Sequence, residues 1–254
     1  MKFLILLYLS LLSCTSFSQL KGTDIHIEYK MFCDTDLPIT FNTSLWISKN
    51  VSIYKERYST TEKWQEKPTE IVGVDYSRLR NNNEPYLKID NNKKEILFFN
   101  SISSHIFLIK DNYNDLKWNI TNETQTIAGY ECIKATTNYR GREWIAWFTP
   151  QIPLPFGPWK LHGLPGLILE TYDITKRFTL KAVKIENMKS DIFNIDFNTL
   201  QAAENKKPIT YQQFLERKEE ADSNGDKMLS NDKNLEIKIQ KEPRSGEELI
   251  YEWE

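Results

Sequence analysis

Residues 144–170 hold the side chains whose types and spacing stand apart from the rest of the chain. They read Trp-Ile-Ala-Trp-Phe-Thr-Pro-Gln-Ile-Pro-Leu-Pro-Phe-Gly-Pro-Trp-Lys-Leu-His-Gly-Leu-Pro-Gly-Leu-Ile-Leu-Glu. Pro150, Pro153, Pro155, Pro158 and Pro165 each lack an N–H, which excludes a helix or an interior strand. The expectation is a stiff, extended, partly polyproline-II segment, with Gly157, Gly163 and Gly166 making its reversals. Trp147, Phe148, Phe156 and Trp159 are too large and apolar for a wholly wet loop. This chemistry is recognition, because indole and phenyl faces offer much contact area for little lost entropy. The candidate binding set is Trp144, Trp147, Phe148, Pro150, Pro155, Phe156, Trp159, His162, Gly163, Leu164, Pro165 and Gly166. A plainer alternative stays open: an irregular crossover whose tryptophans seal the end of a core.

Bond-making chemistry finds less support. His26, His105 and His162 have no metal-type spacing with one another or with the cysteines, so no metal and no cofactor is expected. His162 is expected to hydrogen-bond a backbone carbonyl. Glu170 lacks a second carboxylate at a recognisable spacing for general acid–base work. In Asp222-Ser-Asn-Gly-Asp226 the glycine is misplaced for a calcium loop and Lys233 stands at the twelfth position, so a solvated turn is expected. No nucleophile elbow, phosphate loop or dinucleotide fingerprint occurs, and no catalytic residue is assigned.

Met1-Lys2, an apolar run from Phe3 to Leu12 and the small polar residues after it form an export signal, with cleavage expected after Ser18. The run is too short to span a bilayer. Leu11-Leu12-Ser13-Cys14 also resembles a lipobox; acylation of Cys14 would tether the protein peripherally instead of releasing it. Either route leaves Cys33 and Cys132, which an oxidising compartment would join in a disulfide. Two separately buried thiols are the alternative.

These residues need a scaffold. Across 254 residues, 33 Lys+Arg against 35 Asp+Glu give a net charge of −2, without the basic excess of a nucleic-acid binder. Period-two alternation dominates: Ile25, Ile27, Tyr29, Met31 and Cys33 share one strand face. Further strands are predicted at Leu45–Tyr54, Ile71–Leu79, Tyr86–Asp90, Glu95–Asn100, His105–Lys110, Leu116–Ile120, Gln125–Ala128, Tyr130–Tyr139, Arg142–Thr149, Leu167–Tyr172 and Arg177–Glu186. Tyr139-Arg140-Gly141-Arg142 reads as a hairpin turn. The fold class is therefore mainly β: an antiparallel meander forming a curved sheet or half-barrel, with a short C-terminal helical region. The helix is predicted over Tyr211–Ala221 behind the Thr210/Gln213 capping box, with weaker signals at Phe197–Glu204 (helix) and Leu235–Ile239 (strand). The division is a signal over 1–18, one β-rich domain over 19–222, and a charged tail over 223–254.

Gly163-Leu164-Pro165-Gly166-Leu167-Ile168 resembles the signature of the GLPGLI family of exported bacterial proteins. Trp147–Pro150, Pro155–Lys160 and Gly129-Tyr130-Glu131-Cys132 are similar to its flanking pattern, tightly over residues 127–172. The resemblance implies a Gram-negative envelope location and supplies no mechanism. The layout of strands and loop also resembles half-barrel lipoprotein-carrier domains of the LolA kind, with a helical lid over an apolar concavity. The expected role is non-catalytic binding of an apolar ligand, a lipid or lipidated chain. The alternatives are docking on an envelope protein such as an outer-membrane transporter, and an enzyme of unidentified class. The oligomeric state stays open.

Overall fold

The structure is a computed structural model that describes residues 24–35, 38–57, 86–103, 105–187, 207–230 and 244–254. The export signal, Cys14, the strands predicted at 71–79 and 235–239 and the helix predicted at 197–204 lie outside the described residues.

Among the described residues the strands are β1 (Asp24–Cys33), β2 (Ile39–Ser48), β3 (Val51–Arg57), β4 (Tyr86–Asp90), β5 (Glu95–Ile102), β6 (His105–Asp111), β7 (Asn119–Ile127), β8 (Tyr130–Tyr139), β9 (Arg142–Thr149), β10 (Leu167–Asp173), β11 (Phe178–Asn187) and β12 (Ile209–Thr210). They form one open sheet in the order β12-β6-β5-β4-β3-β2-β1-β11-β10-β9-β8-β7. Two antiparallel meanders, β1 to β6 and β7 to β11, thus meet along a single seam between β1 and β11. Only β12 runs parallel to its neighbour, and it leads directly into the helix α1 (Tyr211–Ser230).

Local sequence explains the hairpins. Ala128-Gly129 and Arg140-Gly141 take positive φ at both positions (49° and 84°; 48° and 81°), the geometry that matches the twist of paired strands. One strand predicted over Leu45–Tyr54 is two, because Lys49 turns the chain at a φ of 53° and Val51 pairs back on Ser48. The two strands predicted between Leu116 and Ala128 are one bulged strand, β7, whose register shifts between Ile120 and Thr124. The helix runs on to Ser230, so Asp222–Asp226 is helical backbone rather than a turn.

Register places one apolar row across the first meander: Ile27, Leu45, Tyr54, Leu87, Phe98 and Ile109 are successive cross-strand partners, all buried. Met31, Leu180, Thr171, Ala146 and Ala135 continue the same face across the second. The opposite face of the first meander buries a smaller cluster of Trp46, Ile53, Leu97, Phe99 and Leu108.

The sheet is strongly curved. Asp111 ends β6 and Arg140 follows β8; β6 and β9 lie eight strand steps apart in the sheet order. Laid flat, eight steps of about 4.8 Å would separate them by roughly 38 Å. Instead Arg140 Nη2 lies 2.6 Å from Asp111 Oδ1, so the two limbs curl round to meet across the concave face.

Cys33 and Cys132 are separate buried thiols, not the expected disulfide. They lie on β1 and β8, with β11, β10 and β9 between them. Burial pushes the Cys33 thiol up to about 12 and that of Cys132 up to about 11, so both stay protonated and unreactive at neutral pH.

Candidate functional site: the crossover and the ionic clasp

The crossover from β9 to β10, residues 150–166, hydrogen-bonds itself despite its prolines. Leu154 N donates to Ile152 O and Phe156 N to Leu154 O, both at 2.8 Å, closing three-residue turns centred on Pro153 and Pro155. Proline's fixed φ suits the centre of such turns. Gly163 N donates to Pro155 O (3.0 Å), Leu167 N to Ile152 O (2.9 Å) and Ile168 N to Phe156 O (3.0 Å). The start of β10 is thereby paired on both edges, with β9 on one side and the crossover on the other. From the β1 side, Tyr29 Oη donates to Ile168 O at 2.7 Å.

Most of the candidate binding set turns inward. Trp144, Trp147, Phe148, Phe156, His162, Leu164 and Gly166 are buried, Pro155 and Trp159 are half-buried, and Pro150, Gly163 and Pro165 are exposed. Trp159 takes a left-handed φ of 55°, which is costly for so large a residue. That turn packs its indole at a tilt against Trp144 (5.3 Å between ring centres) and edge-to-face against Tyr139 (5.7 Å). His162 Nδ1 lies 2.8 Å from Lys160 O, the backbone role expected of it, while Trp118 Nε1 donates to His162 O at 2.8 Å. Burial holds the His162 imidazolium below its ordinary range, outweighing the bond to Lys160 O. Glu170 faces the other side of the sheet, 3.3 Å from Lys181 Nζ and 3.4 Å from Gln125 Nε2.

Beside the crossover lies a group of charges that local sequence pattern did not bring together. Arg140 Nη2 and Nη1 grip both oxygens of Asp111, at 2.6 and 3.0 Å. Arg140 also reaches Glu248, and meets both oxygens of Glu252 at 3.0 Å. Lys160 Nζ lies 2.6 Å from Asp111 Oδ2 and 2.7 Å from Glu248 Oε1, and Tyr211 Oη donates to Glu248 Oε2 at 2.7 Å. The Arg140, Lys160 and Asp111 side chains are 1%, 3% and 0% exposed. Burial alone would raise the Asp111 carboxyl, but the Lys160 charge and the Arg140 bonds prevail and hold it below its ordinary range. Tyr211, Phe98 and Trp159 face the Lys160 ammonium at 4.6, 4.8 and 5.7 Å from ring centres.

The same hairpin also seizes the C-terminal segment. Leu249 N and Ile250 N donate to Arg140 O at 2.8 and 3.2 Å. Arg142 binds the carbonyls of Ser245 and Gly246 and pairs with Asp173 at 3.1 Å. One signal was available in the sequence: Lys160 is the lone charged residue between Trp144 and Leu169, and a single charge within an apolar run needs a buried partner.

The sequence pattern of the N-glycanase peptide, N-terminal domain, matches residues 59–213, more than half of the chain. The chain belongs to that family. The hexapeptide 163–168 lies within the matched span of this N-glycanase N-terminal-type chain. Among solved structures, PNGF-II in a P21 crystal form is similar at a TM-score of 0.54 with 16% identity, over 79% of this chain and 34% of that one. The C2 form gives 0.54 and 16%, over 78% and 33%. At that identity the likeness is one of fold, and the chain spans about a third of the PNGF-II chain. A LolA superfamily protein from Nitrosomonas europaea is also found, at a TM-score of 0.30 with 7% identity over 67% of this chain and 88% of that one. No protein of curated function matches the chain.

Proposed function

We propose that the chain is an exported, non-catalytic binding module of the cell envelope, whose concave face takes an apolar ligand, a lipid or lipidated chain, beneath α1. The observation that carries this reading is the way α1 sits on the sheet. Among the residues whose side chains are described, its buried contact lies in the first two turns, where Tyr211 and Phe214 are buried, Leu215 is half-buried, and the rings meet Phe98 and Phe107 at 5.1 and 5.9 Å. From Glu216 to Ser223 the helix is exposed except for half-buried Ala221. Tyr211 also ties that foot to Glu248 of the clasp, while the helix beyond it is largely exposed and the sheet face beside it is apolar from β1 to β6.

The test is titration of the purified chain with a fluorescent fatty acid, beside mass spectrometry of its organic extract. We expect saturable binding near one equivalent, weakened at least tenfold by Phe214→Ala while the melting transition stays cooperative. Absence of both probe binding and extracted lipid overturns the reading. Release of N-glycans from a glycopeptide by the same preparation overturns its non-catalytic part. A second reading, docking to an envelope protein or catalytic partner, is favoured by the match to the N-terminal part of a longer N-glycanase. The exposed prolines 150, 153 and 165 would provide its stiff contact face.

A further inference from the structure

On the convex side of the β1–β11 seam three potential metal ligands converge. His26 and Glu28 stand two residues apart on β1, so both point to one face. Glu186 of β11 is the direct cross-strand partner of His26. One donor atom from each of the three lies within 4.8 Å of the other two, and His26 Nδ1 is 3.0 Å from Glu186 Oε1. Ligands about 2.0–2.2 Å from one cation stand roughly 3 Å apart, so the present spacing needs little adjustment. The register of the seam shifts between Glu28 and Tyr29, and such a bulge re-aims the side chain beside it. The imidazole is fixed as well: it is 6% exposed and stacks on Trp46, 5.0 Å between ring centres and 14° from parallel. Its Nε2 is buried without a partner. When Nδ1 gives its proton up to coordinate a metal, the tautomer change therefore breaks no other bond.

We propose that His26, Glu28 and Glu186 form a site for a divalent transition-type cation such as Zn2+, pinning the seam on which the two meanders join. An imidazole with two carboxylates selects a borderline cation over Ca2+ or Mg2+, which take oxygen ligands. Three protein ligands leave a coordination position for water. In the free protein the Lys184 ammonium stands among the carboxylates, 2.9 Å from Glu186 Oε2 and 4.0 Å from Glu28 Oε1. It is 53% exposed, so it swings out to solvent when a metal enters, and until then it is the competitor. The site lies on the opposite face from the concavity and does not depend on the apolar-ligand reading.

The experiment is calorimetric titration of the full chain with Zn2+ alone in a non-chelating buffer near pH 7, with melting curves and the visible spectrum of the Co2+ form. We expect one equivalent bound, a higher melting temperature with Zn2+, and Co2+ bands carrying nitrogen ligation. His26→Ala and Glu186→Gln should each weaken binding tenfold or more, as should Glu28→Gln, a change at a partly exposed position that leaves folding intact. Lys184→Gln should tighten binding, a result that a surface ion-pair network would not give. A wild-type chain that binds no Zn2+ overturns the proposal. So does Zn2+ binding that survives all three ligand substitutions.

Discussion

Arg140 donates to three carboxylates while its side chain is 1% exposed, and Asp111, its bidentate partner, is fully buried. Such a pair was expensive to desolvate, so its significance lies in the consequence of breaking it. Removal of the guanidinium strands Asp111 in a buried site, with only Lys160 left to neutralise both it and Glu248. Arg140→Ala should therefore lower the unfolding free energy by about 3–5 kcal/mol, measured by urea denaturation. Lys160→Met should cost less, since Arg140 still binds both Asp111 oxygens and the methionine keeps the apolar stem against Phe98 and Tyr211. An Arg140→Ala chain as stable as the wild type would mean that the clasp does not hold the limbs of the sheet together.

At the scale of elements the crossover is rigid because glycines admit close backbone approach at two positions and a left-handed turn at a third. A Cβ on Gly166 would stand 2.2 Å from Thr149 O and 2.7 Å from Thr149 C, backbone atoms that cannot yield. On Gly157 it would meet Ile168 Cδ1 at 2.6 Å, the end of a side chain that can turn away, though Ile168 Cβ follows at 2.9 Å. At Gly163 a Cβ would meet only Trp118 Nε1, at 4.0 Å, but the φ there is 91°. Alanine scanning should thus rank Gly166 as the most damaging, at about 3 kcal/mol, then Gly157 at about 1–3, then Gly163 at about 1–2, read as shifts in urea midpoint. Equal losses at Gly166 and Gly163 would contradict the close approach to Thr149. Much of this was legible beforehand. Period-two alternation located Tyr130–Tyr139 and Arg142–Thr149 to the residue, and Arg140-Gly141 marked their turn. It failed at Lys49, where no glycine or proline announces the turn, and between Ile120 and Thr124, where a bulge interrupts the alternation.

For the whole molecule, closure was illegible because it depends on pairs that local pattern never compares. Asp111 with Arg140, Lys160 with Glu248, and His26 with Glu186 are 29, 88 and 160 positions apart, and even where a lone charge such as Lys160 calls for a partner, local pattern does not say which one. The aromatic crossover was legible as a segment, but its direction was not: alternation cannot distinguish a loop that faces a ligand from one folded over its own strands. Two of the groups so enclosed make stability depend on pH in opposite chemical senses but the same direction. His162, held neutral by burial, has a folded pKa below the unfolded value near 6.5. Its contribution is complete above that value and is lost as pH falls toward the folded pKa, by up to about 1.4 kcal/mol per pH unit. Asp111, held ionised by Lys160 and Arg140 against its burial, contributes fully above about 3.8 and loses that contribution only as pH drops through its lower folded value. Melting temperature should therefore decline in two stages, the first setting in below pH 6.5 and the second below about pH 4. His162→Asn retains a donor for Lys160 O but cannot take up a proton, so it should remove the first stage and leave the second. A variant that declines between pH 6.5 and 5 as steeply as the wild type would show that His162 is not the group behind that stage.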